Sequence, residues 1–139
     1  MRTEDDESRD FHEWLSRNNI PHTHIANEGI GGRRDFARTR KAKSLGQSAG
    51  FPDFLVVIPM SWSRENYHQD VLTDDEFSTS LVAIEMKRQK GGKVSDKQKA
   101  WLETLNSAGI EAVVCKGFEE AKKFILDRVE LNNNNREEF

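Results

Sequence analysis

The sequence has one cysteine in 139 residues, so no internal disulfide can form. Cys115 ends the run Ala112-Val113-Val114-Cys115, which reads as a buried strand where the thiol is a small apolar filler rather than a reactive group. Long apolar runs are missing too. No stretch is long enough to cross a bilayer, and the acidic, polar start is unlike a secretory leader. A reducing, cytoplasmic setting fits, and no membrane partner is expected. There is no internal repeat. Net positive charge is also missing: 21 Lys and Arg against 24 Asp and Glu give −3. As a sum, that argues against a polyanionic partner.

The distribution argues the other way. Arg33, Arg34, Arg38, Arg40, Lys41 and Lys43 lie between Gly32 and Leu45 with Asp35 as the one acid among them. Arg88, Lys90 and Lys93 follow Lys87 in a second basic cluster, while acids gather at Glu4–Glu7 and Asp74–Glu76. A segregated basic surface binds a polyanion even when the total is slightly negative. Basic helices are also often plain solvated faces, so charge alone does not decide.

The apolar pattern outlines one domain over residues 9–131, with a disordered acidic start at 1–8 and a polar tail at 132–139. Ser8 is the candidate cap of a first helix to about Arg17, with Phe11, Trp14 and Leu15 on one face. His22 to Ala26 reads as a short strand, Asn27 to Gly32 as a glycine-rich loop, and Arg33 to Leu45 as a basic helix. Two short β-branched runs, Phe54–Ile58 and Leu81–Ile84, read as buried strands. Residues 59–80 between them form a long polar insert holding Trp62 and Tyr67, unusual unless functional or mobile. The insert either extends the hairpin or contains a helical turn. Ser95-x-x-Gln98 is a capping box opening a helix whose face carries Gln98, Trp101, Leu102 and Leu105, and Gly109 sits where a C-terminal cap belongs. A strand over Ile110–Cys115 and a helix from Phe118 to about Val129 complete the order αβ-α-ββ-α-β-α. That order predicts an α/β fold, a mixed sheet flanked by helices, with the last strand parallel to the one before its crossover helix.

Chemistry enters through the two central strands. Paired antiparallel, with Phe54 opposite Ile84 and Val56 opposite Val82, they set Asp53 opposite Glu85 on one face. Lys87 keeps that face about 7 Å further on. Two carboxylates and an amine so placed are the minimum for binding a hard divalent cation and cutting a phosphodiester. Other residues carry weaker signals. His22 and His24 alternate on one strand face, as zinc ligands can, but no further soft ligands accompany them. His12 and His68 are expected in solvent. Trp101 reads as core, whereas Trp62 is the better candidate for contacting nucleic acid or a partner.

Asn27-Glu28-Gly29, Gly50-x-Pro52-Asp53, Ile84-Glu85-x-Lys87 and Ser95-x-x-Gln98-x-x-Trp101-Leu102-x-x-Leu105, with Gly109 and the strand after it, occur in this order. In that sequence they resemble the PD-(D/E)xK nuclease superfamily. More narrowly, from Phe11 to Val129, they resemble the stand-alone VRR-NUC domains of phages and bacteria, relatives of Holliday junction resolvases. The resemblance implies a restriction-endonuclease-like core. It also implies Mg²⁺ or Mn²⁺ held by Asp53, Glu85 and the main-chain carbonyl of Met86, with Glu13 the best match for the acid usual on the first helix. Lys87 and Gln98 would complete the catalytic set. The expected activity is endonucleolytic cutting of branched or structured DNA, Holliday junctions first, by a homodimer. If the chain is phage-encoded, it would act in the bacterial host's cytoplasm. Flap or single-strand cutting by the same fold, or nucleic-acid binding without catalysis, are the rival expectations. The insert at 59–80 departs from the family pattern, being longer than a simple hairpin turn.

Overall fold

Phe54, Val56 and Ile58 alternate with Leu55 and Val57, the period of two that a strand with one fully buried face requires. In the computed structural model, which describes residues 1–25, 36–58 and 80–137, these five residues form a strand whose alternate side chains are fully buried. The elements in chain order are α1 (Glu4–Arg17), β1 (His22–His24), α2 (Phe36–Ser44), β2 (Phe54–Ile58), β3 (Ser80–Lys87), α3 (Asp96–Ser107), β4 (Glu111–Lys116) and α4 (Phe118–Glu137). This is the order anticipated from the sequence.

The four strands form one sheet in the order β1-β2-β3-β4. β2 and β3 are antiparallel with Phe54 opposite Ile84 and Val56 opposite Val82, the register that the apolar pattern predicts. β4 runs parallel to β3, with Ile84 beside Val113 and Met86 beside Cys115, after the α3 crossover. One sheet face buries Phe54, Val56, Ile58, Val82, Ile84, Met86 and Cys115 under Phe11 and Leu15 of α1 and Ala121 and Ile125 of α4. Each large apolar side chain so buried contributes about 1.5–3 kcal/mol. The other face packs Ala83 and Ala112 against Leu105 of α3, with Phe51, Leu55, Trp101 and Leu102 around them. Trp101 meets Phe51 edge to face, ring centroids 5.0 Å apart, as a core side chain. Cys115 is buried, and burial pushes its thiol up to about 12, so it is inert as a nucleophile.

Both ends differ from the sequence reading. Residues 1–8 are not a disordered acidic start: α1 begins at Glu4, and its cap is Thr3 rather than Ser8. The Thr3 hydroxyl accepts from Asp6 N at 3.1 Å, and the Asp6 carboxylate accepts from Thr3 N at 2.9 Å, a reciprocal cap made with Asp in place of the usual Glu or Gln. Four acids in the first turn also complement the helix dipole. At the other end α4 continues to Glu137 through the four asparagines, where a polar tail was expected from residue 132. No Gly or Pro interrupts that stretch, so nothing removes a helical hydrogen bond. The glycine-rich loop with Glu28, and the insert with Trp62, Tyr67 and His68, lie outside the described residues. No helix among the described residues is long and apolar enough to cross a membrane.

Candidate metal centre

The Gly50-Phe51-Pro52-Asp53 turn delivers Asp53 to the start of β2. Asp53 Oδ2 accepts from the backbone N–H of Met86 at 2.8 Å, so the turn is tied across to β3 beside Glu85. Gly50 has φ +91°, and a Cβ there would meet the carbonyl carbon of Lys97 at 2.7 Å and the backbone N of Gln98 at 2.9 Å. The missing side chain therefore lets the first turn of α3 lie directly on the turn that carries Asp53.

That contact brings Gln98 to Glu85. Ser95 and Gln98 form the expected capping box: Gln98 Oε1 accepts from Ser95 N at 2.8 Å. With its oxygen so used, the amide presents its NH₂, and Gln98 Nε2 donates to Glu85 Oε1 at 2.8 Å. Lys87 Nζ approaches the same oxygen at 3.3 Å. Glu85 is 1% exposed and Lys87 6%, so this is a buried ion pair. One carboxylate oxygen thus carries both donors. The other, Glu85 Oε2, is buried and has no hydrogen-bond partner among the described residues.

A buried acceptor left bare costs about 1–3 kcal/mol, more when charged, and two further acids stand beside it. Carboxylate oxygens of Glu4, Asp53 and Glu85 lie within 4.8 Å of one another. Burial, then the negative charge of Asp53, pushes the Glu85 carboxyl up to about 8, while Lys87 opposes the shift. Burial also raises Asp53, against the Met86 N–H that holds its charged form down. Glu4 is raised, again first by burial, with Lys87 opposing. Three carboxylates that burial and mutual repulsion keep from ionising together either retain protons or take a compensating cation. Oxygen-only donors, one of them unpartnered, fit a hard divalent cation.

Of the residues singled out in the sequence, Asp53, Glu85, Lys87 and Gln98 come together here. Glu13 does not. It lies on the exposed side of α1 in an ion pair with Arg17 at 3.4 Å, and the acid that α1 contributes is Glu4. The Thr3-x-x-Asp6 cap is the signal that could have placed Glu4 on the helix. Counting back from Phe11 by seven residues, two helical turns, also sets it on the buried stripe. Glu7, one turn on, is 1% exposed. It accepts from Arg2 at 3.0 Å, Gln89 at 3.1 Å and the backbone N–H of Phe118 at 3.4 Å. It thereby ties the first turn of α1 to the segment after β3 and to the start of α4.

The basic residues lie outside this cluster. Arg38, Arg40, Lys41 and Lys43 are exposed on α2, and Arg88, Lys90 and Lys93 are exposed between β3 and α3. Arg33 and Arg34 fall outside the described residues. His22 and His24 do share a side of β1, opposite Val56 and Phe54. His22 Nε2, however, lies 2.7 Å from His12 Nδ1, so His12, though exposed, is partnered.

The sequence model of the VRR-NUC domain matches residues 3–119 of the chain. Among solved structures, a chain described as a VRR_NUC domain protein has the same fold, with a TM-score of 0.61 and 21% identity over 94% of this chain and 90% of that one. No curated protein matches.

Proposed function

Because the chain belongs to the VRR-NUC domain family, which lies in the PD-(D/E)xK nuclease superfamily, we propose that it is a divalent-cation-dependent endonuclease that hydrolyses phosphodiester bonds in branched DNA. The observation that carries this reading is Glu85 Oε2, buried beside Asp53 and Glu4 and without a donor among the described residues. Those three carboxylates and the main-chain carbonyl of Met86 would hold Mg²⁺ or Mn²⁺. The bound cation supplies Lewis-acid polarisation of the phosphoryl group and lowers the pKa of an attacking water.

The chain's own groups do the rest. Lys87, pinned by Glu85 Oε1, keeps its remaining ammonium protons for the attacking water and a non-bridging phosphate oxygen, where negative charge grows in the transition state. Gln98 fixes the Glu85 carboxylate so that Oε1 serves Lys87 and Oε2 would be left for the cation. Water forms the new P–O bond, and the P–O3′ bond breaks. The water's proton goes to solvent and the leaving O3′ takes one up, leaving a 5′-phosphate and a 3′-hydroxyl. Arg33, Arg34, Arg38, Arg40, Lys41, Lys43, Arg88, Lys90 and Lys93 would hold flanking phosphates. Resolving a four-way junction takes two symmetric incisions, which a small one-site domain makes most simply as a two-fold homodimer.

The test is a panel of synthetic four-way junction, flap, single strand and duplex with Mg²⁺ or Mn²⁺. The junction is expected to be cut most rapidly, and Asp53→Ala, Glu85→Ala and Lys87→Ala each to abolish cutting in a folded protein. Full activity of Lys87→Ala would break the proposed mechanism. Absence of cutting on every substrate, with no Mn²⁺-dependent thermal shift, would turn the reading to a non-catalytic nucleic-acid-binding module.

A further inference from the structure

A second polar site lies next to the metal cluster, between the outer face of α1 and the edge strand β1. Ser8, Arg9 and His12 project from one side of α1 at the helical spacing i, i+1, i+4. They line a cavity of about 490 Å³ with His22, Thr23 and His24 of β1. The volume is in the range of small-ligand sites. Asp5 also lines it, one residue from Glu4, at the end nearest the metal cluster. The two sites also meet through β1. His24 is close enough for its charge to act on Asp53, and Ile25 N–H donates to the Asp53 carbonyl at 2.6 Å.

The hydrogen bonds fix how this cleft presents itself. His22 Nδ1 lies 2.8 Å from the Ile20 carbonyl. A carbonyl only accepts, so Nδ1 carries the proton and the neutral ring has a bare Nε2. His12 Nδ1, 2.7 Å from that atom, must then be the donor. One more proton makes His12 an imidazolium whose Nδ1–H stays bound to His22 and whose Nε2–H is left for an anion. Arg9 holds one long ion pair, to Asp6 at 3.5 Å, and is 64% exposed. A guanidinium, the imidazolium form of His12 with its Nε2–H free, and the hydroxyls of Ser8 and Thr23 are the donor set that suits a phosphodiester.

We propose that this cleft is a phosphate subsite that holds the nucleic-acid backbone next to the bond being cut, with Arg9 and His12 as its principal contacts. It rests on the nuclease reading and adds to it. From Glu4 to His12 α1 rises about 12 Å, so a single strand passing the metal cluster would also lie over the cleft. The basic residues of α2 and of the β3–α3 segment would then hold more distant phosphates.

The test is binding of a fluorescein-labelled four-way DNA junction by anisotropy, with Ca²⁺ replacing Mg²⁺, for wild type, Arg9→Ala, His12→Ala and His12→Lys. Arg9→Ala and His12→Ala are each expected to raise Kd about tenfold. Each should also lower the slope of log Kd against log salt by about 1 and leave the Mn²⁺ thermal shift unchanged. His12→Lys restores the cation and should recover most of the binding, which a purely structural histidine would not allow. In wild type, a neutral methylphosphonate at the phosphate adjoining the cut should cost a similar factor, and that cost should vanish in His12→Ala. Wild-type Kd and slope in both alanine variants would overturn the subsite while leaving the nuclease reading intact. A wild-type protein that neither binds nor cuts any DNA would overturn both.

Discussion

If the carboxylate cluster holds the proposed cation, Glu85 should make its binding steeply dependent on pH. Its carboxyl is pushed up to about 8 by burial and by Asp53, so at pH 7 it is about nine-tenths protonated and a cation must displace that proton. Apparent affinity for Mg²⁺ is therefore expected to rise about tenfold per pH unit up to pH 8 and to level off above. Between pH 6 and pH 9 the change approaches 100-fold, or about 2.7 kcal/mol. At pH 8, Mg²⁺ at about 100 times its Kd should stabilise the fold by about 2.7 kcal/mol, roughly 10 °C in Tm for a chain of this size. The same concentration at pH 6 should give only a small part of that shift. Without metal the trend has the opposite sign. The folded chain binds more protons than the unfolded one between about pH 4.5 and 8, so this group's contribution to stability is greatest below that window and is lost as pH rises through it. Isothermal titration calorimetry in buffers of different ionisation enthalpy counts the proton directly, with close to one released at pH 7 and almost none at pH 9. A Kd that stays flat from pH 6 to 9 would refute the reasoning, because Glu85 would then be either an ordinary carboxylate or no ligand. Glu85→Gln should lose the Mg²⁺ shift at every pH.

Three further outcomes follow from contacts around the cluster. Glu4→Gln should weaken Mg²⁺ binding about tenfold, whereas Glu13→Gln, which only frees Arg17, should stay within about twofold. Equal effects of the two in calorimetry would remove Glu4 from the site. Gly50→Ala places a Cβ at φ +91° against the Lys97 and Gln98 backbone. It should cost about 2–3 kcal/mol in urea unfolding and reduce cutting beyond the unfolded fraction, since α3 must retreat and take Gln98 from Glu85. Wild-type stability in that variant would show that the approach is not tight. Glu7→Ala leaves the Phe118 N–H and Gln89 without their acceptor, while Arg2 keeps its contacts to Asp10 and the Asp6 carbonyl. A loss of about 2 kcal/mol is expected in urea unfolding, and no loss would mean that water replaces the carboxylate.

Where the fold depends on local chemistry, it was readable from the chain. The β2–β3 register follows from matching apolar runs, because a slip of one residue would turn Phe54, Val56 and Ile58 to the wrong face. The Ser95–Gln98 box marks the start of α3 without any tertiary information. Asp53, Glu85, Lys87 and Gln98 were legible because strand register and a helix cap fix all four. Glu4 was hidden in an acidic run that looks like solvated charge, and only its capping by Thr3 and its packing through Glu7 turn that run into helix. Glu13 was favoured as the best match to the acid that the family resemblance implies on the first helix, yet it lies on the exposed side of α1, and it is the N-terminal end of that helix that brings an acid to Asp53 and Glu85. The polar tail was misread because asparagine favours caps and turns over helix interiors, a weak preference that four of them did not enforce. The His12–His22 contact depends on how closely α1 approaches β1, which no local pattern encodes.

The site depends on dividing one carboxylate between two tasks. Gln98 is a capping residue first: its oxygen must accept from Ser95 N–H for α3 to begin where it does. That requirement fixes which end of the amide reaches Glu85, and so which Glu85 oxygen is occupied. Lys87 joins the same oxygen. The cost of burying the carboxylate then falls on Oε2, which has no donor among the described residues. A fold selected only for stability would give that atom a donor, and a Ser or Asn at a neighbouring position would suffice. Leaving it without a donor holds the metal-free carboxyl in its protonated form at neutral pH, and the proposed cation would take the place of that proton. The strain sits at the atom where the ligand is needed, as expected where local consistency yields to function. The helix cap and the metal centre are therefore one hydrogen-bonded unit. Ser95→Pro, whose ring suits the φ of −74° there but lacks the N–H that holds Gln98 Oε1, should release the Gln98 amide to rotate. It should weaken Mg²⁺ binding by several-fold more than its helix-cap cost of about 1 kcal/mol produces through unfolding alone. Calorimetry on the folded fraction separates the two, and an unchanged Mg²⁺ affinity would show that Glu85 keeps its orientation without the cap.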